Sequence, residues 1–434
     1  MNFEIPKTEA SCTQSAVNNF FLKNLVQENS ISNFSLKNMD IIECVKYKTR
    51  PTICFITMCK NEQHCIQNTL ESVYKYIDYW VVCDTGSTDR TCEIVTEFFK
   101  TKDIPGELFV NEWRSFHENK SIMFEKGYNK SDYLLHFDAD DILYGTLNLD
   151  ILLSNENKAD MYHFNCKRGT ITFPCSLMYN NRLRWKYCGV AHNTIKCLDK
   201  QHTTSSNCFR KQDDLWLDCN ERGSRAFDPK KYHKDAELLK MQFFDTLYND
   251  PDELNNRSCF YTAQSYMDSN QNEEALKWYC LYLKLQNTWQ EEVYESYLRI
   301  SEILIRMKRP FGEIETQINR SIEIFPDRAE GFVILANYCN HIKQQEKAYE
   351  LFTVALTKDF NEIKNKYTLF IRPLTYGKYI LDELSVACYW TGRYKEGQKY
   401  LEQLLVDPEF EHHKERFNNN LKHFTTEDNK SAKV

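Results

Sequence analysis

Between residues 51 and 228, apolar runs without polar alternation recur at intervals that leave room for one helix between them. Thr52–Met58, Tyr79–Cys83 and Tyr133–Phe137 each read as a short strand buried on both faces. From Gln63 to Tyr76 the pattern changes to a helical period, with Ile66, Leu70, Val73 and Ile77 on one stripe. Strand, helix and strand with short joins imply a right-handed crossover and a parallel pair. Gly86 breaks the chain after the second strand. Ser87, Thr88 and Asp89 then supply N-cap chemistry for a helix over Arg90–Lys100. Strand and helix patterns alternate to about residue 228, which predicts an α/β domain over 51–228. Residues 1–50 are polar, rich in Asn, Ser and Lys, and read as a leader with one helix near Ala16–Gln27.

From residue 229 to 434 the pattern is helical only, and it repeats. Ala329–Leu356 places Phe332, Leu335, Ala336, Ala348, Phe352 and Ala355 at the spacing of a tetratricopeptide (TPR) unit, with Pro326 closing the preceding helix. A copy near Asn256 has Ala263, Tyr266, Ala275, Tyr279 and Tyr282. Another near Lys378 has Leu381, Leu384, Cys388, Tyr394, Gly397 and Leu401, then Pro408. A weaker copy fits Leu298, Ile305, Ile318 and Ser321. Small residues let paired helices approach, aromatics fill the space between pairs, and neighbours must stack to bury their faces. An all-α TPR-like solenoid is expected. It serves either as a concave surface for a polypeptide or glycan acceptor, or as a support for stability and homodimer assembly.

In open α/β sheets, ligands sit beyond the carboxyl ends of the strands. Three polar clusters fall at those ends: Lys60-Asn61-Glu62, Asp84-Thr85-Gly86-Ser87 and Asp138-Ala139-Asp140. Residues at i and i+2 of an extended segment share a face. Asp138 and Asp140 can therefore converge on a hard divalent cation carrying phosphate oxygens. The three clusters together describe a nucleotide site with a metal.

The ordered segments Thr57–Glu62, Asp84–Thr91 and Asp138–Asp141 resemble the family 2 glycosyltransferases with the GT-A (nucleotide-diphospho-sugar transferase-like) fold. Trp113–Asn119 is similar to a family segment with an aromatic followed by Arg-Asn, although Glu118 stands at the Arg position. Arg182–His192 resembles a segment ending in His that is often followed by Glu, where this chain has Asn193. Glu221–Pro229 and Phe260–Tyr266 are similar to a subgroup with a helical repeat tail. The resemblance implies a metal-dependent glycosyltransferase using a nucleotide-sugar donor, with UDP-sugar favoured, Mn²⁺ or Mg²⁺ as cofactor, and an inverting outcome.

In such a transferase, charge develops on the departing diphosphate, and a metal with cationic groups lowers the barrier. The resemblance then suggests Asp140 as the direct metal ligand and Asp138 as a second ligand or a ribose contact, with His192 completing the sphere. Asp84, Asn61 and Glu62 face the nucleotide. Arg222 and Arg225 neutralise the diphosphate. For the general base, Asp141, Asp213, Asp214 and Glu221 are candidates, with Asp214 taken forward.

Bulk properties narrow the alternatives. Lys plus Arg total 55 against 62 Asp plus Glu, a formal charge of -7, which leaves no electrostatic footprint for nucleic acid. The absence of an apolar stretch near 18 residues or of a signal-peptide pattern predicts a cytoplasmic chain with no transmembrane segment. The 17 cysteines include no Cys-x-x-Cys pair, and they read as free thiols packed as small hydrophobes. Two other readings stay open: a repeat scaffold whose transferase domain has degenerated, and a nucleotidyltransferase. The second should carry a Gly-rich loop after the first strand, where this chain has Cys59-Lys60-Asn61-Glu62.

Overall fold

The computed structural model describes residues 50–152, 159–169, 171–199, 204–209, 214–220 and 222–431. The helix expected near Ala16–Gln27 and the candidate bases Asp213 and Glu221 lie outside them. The described residues of 53–146 and 159–431 form one compact unit, and residues 50–52 and 147–152 belong to another.

The apolar runs become strands β1 (Ile53–Cys59), β2 (Tyr79–Asp84) and β4 (Tyr133–His136), joined in the sheet by β3 (Gly106–Val110). β1 is flanked by β2 and β4, all parallel, and β2 continues to β3. Ile53 to Ile56 and Val81 to Cys83 are fully buried, which explains why these strands show no alternation. The crossover helix α1 (Ile66–Val73) buries Ile66, Leu70 and Val73, the stripe its period predicts, and ends in a single 3-10 turn at Tyr74–Tyr76. α2 (Thr91–Thr101) follows β2, and α3 (Phe116–Gly127) precedes β4.

Beyond β4 the sheet turns antiparallel. β7 (Ile171–Asn180) runs against both β4 and β6 (Met161–Arg168). β11 (Trp216–Asp218) runs parallel to β6 and antiparallel to β5 (Ile142–Tyr144). The short β10 (Ser206–Cys208) also pairs with β6, and β8 (Trp185–Cys188) with β9 (Thr194–Cys197) forms a separate hairpin. Four parallel strands continuing into an antiparallel half give the mixed GT-A-like sheet. Its parallel half presents β1, β2 and β4 carboxyl ends along one edge.

The change from strand to helix falls between Asp218 and Lys231. α4 (Lys231–Asp245) leads into the pairs α5 (Asn255–Asp268) with α6 (Asn272–Tyr282), α7 (Gln290–Arg306) with α8 (Phe311–Ile324), and α9 (Glu330–His341) with α10 (Gln345–Leu356). A short α11 (Phe360–Lys366) intervenes before α12 (Leu381–Trp390) with α13 (Tyr394–Val406), and α14 (Lys414–Ser431) follows. Each repeat expected from the spacing is one such pair. Ala263, Ala275, Tyr279, Ala336, Ala348, Phe352 and Leu401 are fully buried between helices. Gly397 shows why small residues hold these positions: a Cβ there would lie 2.4 Å from the Phe424 ring and 2.9 Å from Cys388. No helix among the described residues is long and apolar enough to cross a membrane.

Candidate functional site

Three strand ends converge because β1, β2 and β4 are adjacent and parallel. At the end of β2, Asp84 is 2 % exposed and accepts hydrogen bonds from the Gly86 and Ser87 amides, both at 2.9 Å, and from the Ser87 hydroxyl. Gly86, at φ +96°, supplies the turn that brings those amides back. At the end of β1, Asn61 sits at φ +58° and accepts from the Thr88 amide at 2.8 Å, while its own amide donates to Ser87 Oγ at 2.8 Å. The Glu62 amide donates to Thr91 Oγ1 at 2.8 Å. The first two clusters are thus tied into one rigid lip.

The third cluster closes onto this lip through the loop at 222–224, whose importance is in its backbone. The Arg222 and Gly223 amides donate to Asp140 Oδ2 at 2.9 and 2.7 Å. The Ser224 amide donates to both oxygens of Glu62, at 3.3 and 3.2 Å, and the Ser224 hydroxyl donates to the Asn61 carbonyl. A Cβ on Gly223 would stand 3.1 Å from Asp140 Oδ2 and 3.2 Å from Glu62 Oε1. The residue threads between two carboxylates. Burial raises the Glu62 carboxyl above its ordinary range against the hydrogen bonds from Cys65 and Ser224, and nearby Asp140 adds to the rise.

Asp138 meets a cation. Lys120 on α3 donates to its Oδ1 at 2.7 Å. Desolvation works to raise the Asp138 carboxyl, but Lys120 outweighs it and holds it at about 2. Next to it Asp141 is buried, accepts from the Asp138 amide at 3.2 Å, and is pushed well above the usual range by burial and then by Asp138 and Asp140. Below them His136 is buried and bonded through Nδ1 to the Tyr187 hydroxyl at 3.2 Å, with Nε2 3.8 Å from Asp138 Oδ1. Burial, then Lys120, lowers its imidazole to about 3, so it is neutral. Asp138 and Asp140 are hard oxygen donors two residues apart, the chemistry that suits Mn²⁺ or Mg²⁺. Oδ1 of Asp140 accepts no hydrogen bond among the described residues.

Among the other expected participants, His192, Arg222 and Arg225 have partners of their own. His192, at φ +47°, stacks its ring on Tyr261 of α5 at 4.0 Å, and its carbonyl accepts from Arg257 Nε at 2.9 Å. Desolvation, then the Arg257 and Arg225 guanidiniums, lowers its imidazole to about 3. It forms no three-ligand cluster with Asp138 and Asp140. Asp214 is exposed and precedes β11, which runs parallel to β6; β6 and β4 both oppose β7. Asp214 therefore sits at the amino edge of the sheet, away from the carboxyl edge where the base is needed. Arg222 pairs with Asp218. Arg225 pairs with Asp235 of α4 and lies 4.5 Å from the centre of the Phe116 ring. Both guanidiniums are engaged by the protein, whereas Lys120, one position beyond the Asn119 that marks its segment, is the cation beside the acidic pair.

Among the described residues, the three side chains whose ligating atoms lie within 4.8 Å of one another are Glu62, His64 and Cys65. A second group of soft side chains spans three strands. Register sets Phe164 opposite Cys175 and Cys166 opposite Phe173, and sets Leu217 beside Cys166, so Cys166, Cys175 and Cys219 share one face. The neighbouring Cys175 and Cys219 thiols, then burial, push the Cys166 thiol well up. A cavity of about 630 Å³ lies between α3 and β8, lined by His117, Ser121, Trp185, Tyr187 and Gln242 among others.

Residues 54–161 match Glycosyl transferase family 2. No curated protein matches the chain. S. aureus TarS 1-349 in complex with UDP is 12% identical, with 61% of this chain and 83% of that one covered at a TM-score of 0.32. BtubC (BKLC) from P. vanneervenii is 12% identical, with 47% and 84% covered and a TM-score of 0.36. A tetratricopeptide repeat protein from Parabacteroides merdae is 11% identical, with 47% and 71% covered and a TM-score of 0.34.

Proposed function

We propose that this chain, whose residues 54–161 form a family 2 glycosyltransferase domain, moves a sugar from a nucleotide-sugar donor to a polypeptide or glycan acceptor. The observation that carries the reading is the convergence of Asp84, Glu62, Asp138 and Asp140 at one sheet edge inside that domain, with Lys120 bonded to Asp138. A nucleoside diphosphate needs hydrogen-bonding groups for its base and ribose and positive charge for its phosphates. Asn61, Glu62 and Asp84 are our choice for the nucleoside end. The carboxylate of Asp84 already holds its own turn, so it acts by shaping the lip unless a nucleotide displaces that turn.

Asp138 and Asp140 are the residues we assign to a Mn²⁺ or Mg²⁺ ion, which when bound neutralises charge on the leaving diphosphate. Lys120 is placed to neutralise the same charge and to keep Asp138 ionised. Arg222 keeps a part through its amide, which covers Asp140, and Arg225 through the ion pair with Asp235 that anchors the turn after that loop. Of the two described candidates for general base, Asp141 is the one at the carboxyl edge beside Asp138, and we infer an inverting transfer with a UDP-sugar as favoured donor.

The test is a screen of nucleotide-sugar hydrolysis with Mn²⁺, Mg²⁺ or chelator. Turnover of one donor that disappears in chelator supports the reading. Turnover unaffected by chelator removes the metal from it. No turnover of any donor in a folded protein favours a repeat scaffold with a degenerate transferase domain.

A further inference from the structure

The mixed donor set at the start of α1 has a chemistry of its own, separate from the hard-oxygen pair at β4. Glu62, His64 and Cys65 are gathered by a backbone hook. Asn61 turns through a left-handed conformation, and the Glu62 carbonyl accepts from the Cys65 and Ile66 amides at 3.0 and 2.9 Å. Cys65 Sγ reaches Glu62 Oε2 at 3.2 Å, and His64 Nε2 stands 4.0 Å from the same oxygen. A tetrahedral zinc ion with the usual bonds of about 2.0–2.3 Å needs its ligands roughly 3.3–3.6 Å apart. The Cys65–Glu62 edge is within a few tenths of an ångström of that spacing, and the His64–Glu62 edge is up to about 0.7 Å wider, a gap that a turn of the partly exposed His64 ring closes.

The geometry points to a thiophilic divalent-metal site, for Zn²⁺ or Co²⁺, formed by Glu62, His64 and Cys65. Thiolate and imidazole select such ions over Mg²⁺ and Mn²⁺, which prefer carboxylate and water. The cysteine is 5 % exposed and the His64 side chain 40 % exposed, so the site has a dry anchor and an open entry. On coordination the Cys65 proton leaves to solvent and the S–metal bond replaces the S–H···O contact.

The ligands are also the ties of the covering loop. His64 Nε2 bonds the Arg222 carbonyl at 2.7 Å, and Glu62 accepts from the Ser224 amide. A metal that takes Nε2 and Oε2 must loosen both contacts. The site therefore couples a soft metal to the loop over Asp140, and excess Zn²⁺ should oppose that closure.

The experiment is Co²⁺ and Zn²⁺ titration of the full-length chain after chelator treatment, in the absence of donor. We expect one equivalent of Co²⁺ to produce a thiolate-to-metal charge-transfer band that Zn²⁺ abolishes. Cys65→Ser should remove the band. His64→Gln, at an exposed position where folding is not at stake, should weaken Zn²⁺ binding by more than the 10–100-fold typical of losing an outer-shell partner. The rival source of such a band is the Cys166–Cys175–Cys219 group. A band that survives Cys65→Ser and falls in Cys175→Ser overturns the proposal. So does an absent band in the wild type, or a Zn²⁺ affinity unmoved by His64→Gln.

Discussion

At the scale of single residues, the site divides into side chains held by the protein and side chains left for a ligand. Asp84 belongs to the first kind. Asp84→Ala leaves the Gly86 and Ser87 amides without their acceptor, so we expect about 1–3 kcal/mol of lost stability, read by thermal unfolding. A fall in nucleoside diphosphate affinity with unchanged melting would instead assign its carboxylate to the ligand. Asp140 uses Oδ2 for the Arg222 and Gly223 amides, and we assign its Oδ1 to a cation. Asp140→Ala should lower donor turnover by roughly a hundredfold or more, the scale of deleting one charge-stabilising group, while circular dichroism stays unchanged. Full turnover in that variant would remove Asp140 from the chemistry. Lys120→Ala deletes the cation beside Asp138 and should weaken nucleoside diphosphate binding by about 1.5–3 kcal/mol in calorimetry. Unaltered affinity would confine Lys120 to positioning Asp138.

At the scale of elements, the helical array is fastened by buried charge as well as by its apolar faces. Arg328 is fully buried and grips Glu330 at the start of α9 through Nε at 3.1 Å and a terminal nitrogen at 3.0 Å. Glu330 also accepts from the Tyr294 and Tyr376 hydroxyls and from the Arg372 amide, so it joins α7, α9 and the segment before α12. Burial works to raise this carboxyl, but Arg328 outweighs it and holds the group below its ordinary value. Its stabilising contribution is therefore complete above the unfolded pKa of about 4.3 and is lost as pH falls through the lower, folded value. Glu330→Ala leaves Arg328 as an uncompensated buried charge and should cost about 3–5 kcal/mol at pH 7 in denaturant unfolding. Between pH 7 and acid, wild type should lose more stability than Glu330→Gln; equal acid sensitivity would show that Glu330 is not the group titrating.

At the scale of the whole molecule, the first helices of the array are tied to residues 186–190 and 225, which follow the parallel strands. Gln242 of α4 accepts from the Val190 amide at 2.8 Å, Asp252 pairs with Lys186, and Arg225 pairs with Asp235. A chain shortened to end near Gln286 keeps all of these contacts. It should still hydrolyse nucleotide sugar in water and lose transfer to the natural acceptor, provided the exposed repeat face is given a polar cap. Loss of both activities in a folded preparation would make the later repeats part of the catalytic unit. Undiminished transfer would assign acceptor binding to the α/β domain and the tail to assembly.

The sequence by itself determined the parallel strands β1, β2 and β4, the crossover helix and the repeat helices. The run of strands from Ile142 to Asp218, with no α-helix among the described residues between them, departs from the alternation its pattern suggested. The strands at Ile53, Tyr79 and Tyr133 are legible because burial on both faces demands unbroken apolar runs. The repeats are legible because close helix pairs demand small residues at fixed spacing, as at Ala336 and Gly397. It also marked Asp84, Asp138 and Asp140, since a strand end is a local feature. Only the tertiary structure decided what those carboxylates face. The amides of Arg222 to Ser224 reach Asp140 and Glu62 across more than eighty residues of chain, and backbone donors leave no trace in side-chain identity. His192 went to Tyr261 and Asp214 to the far edge because strand direction and helix docking, not local pattern, choose which side of a sheet a residue occupies. Lys120 was readable only as one lysine on a helix until α3 packed beside β4 and set its ammonium against Asp138.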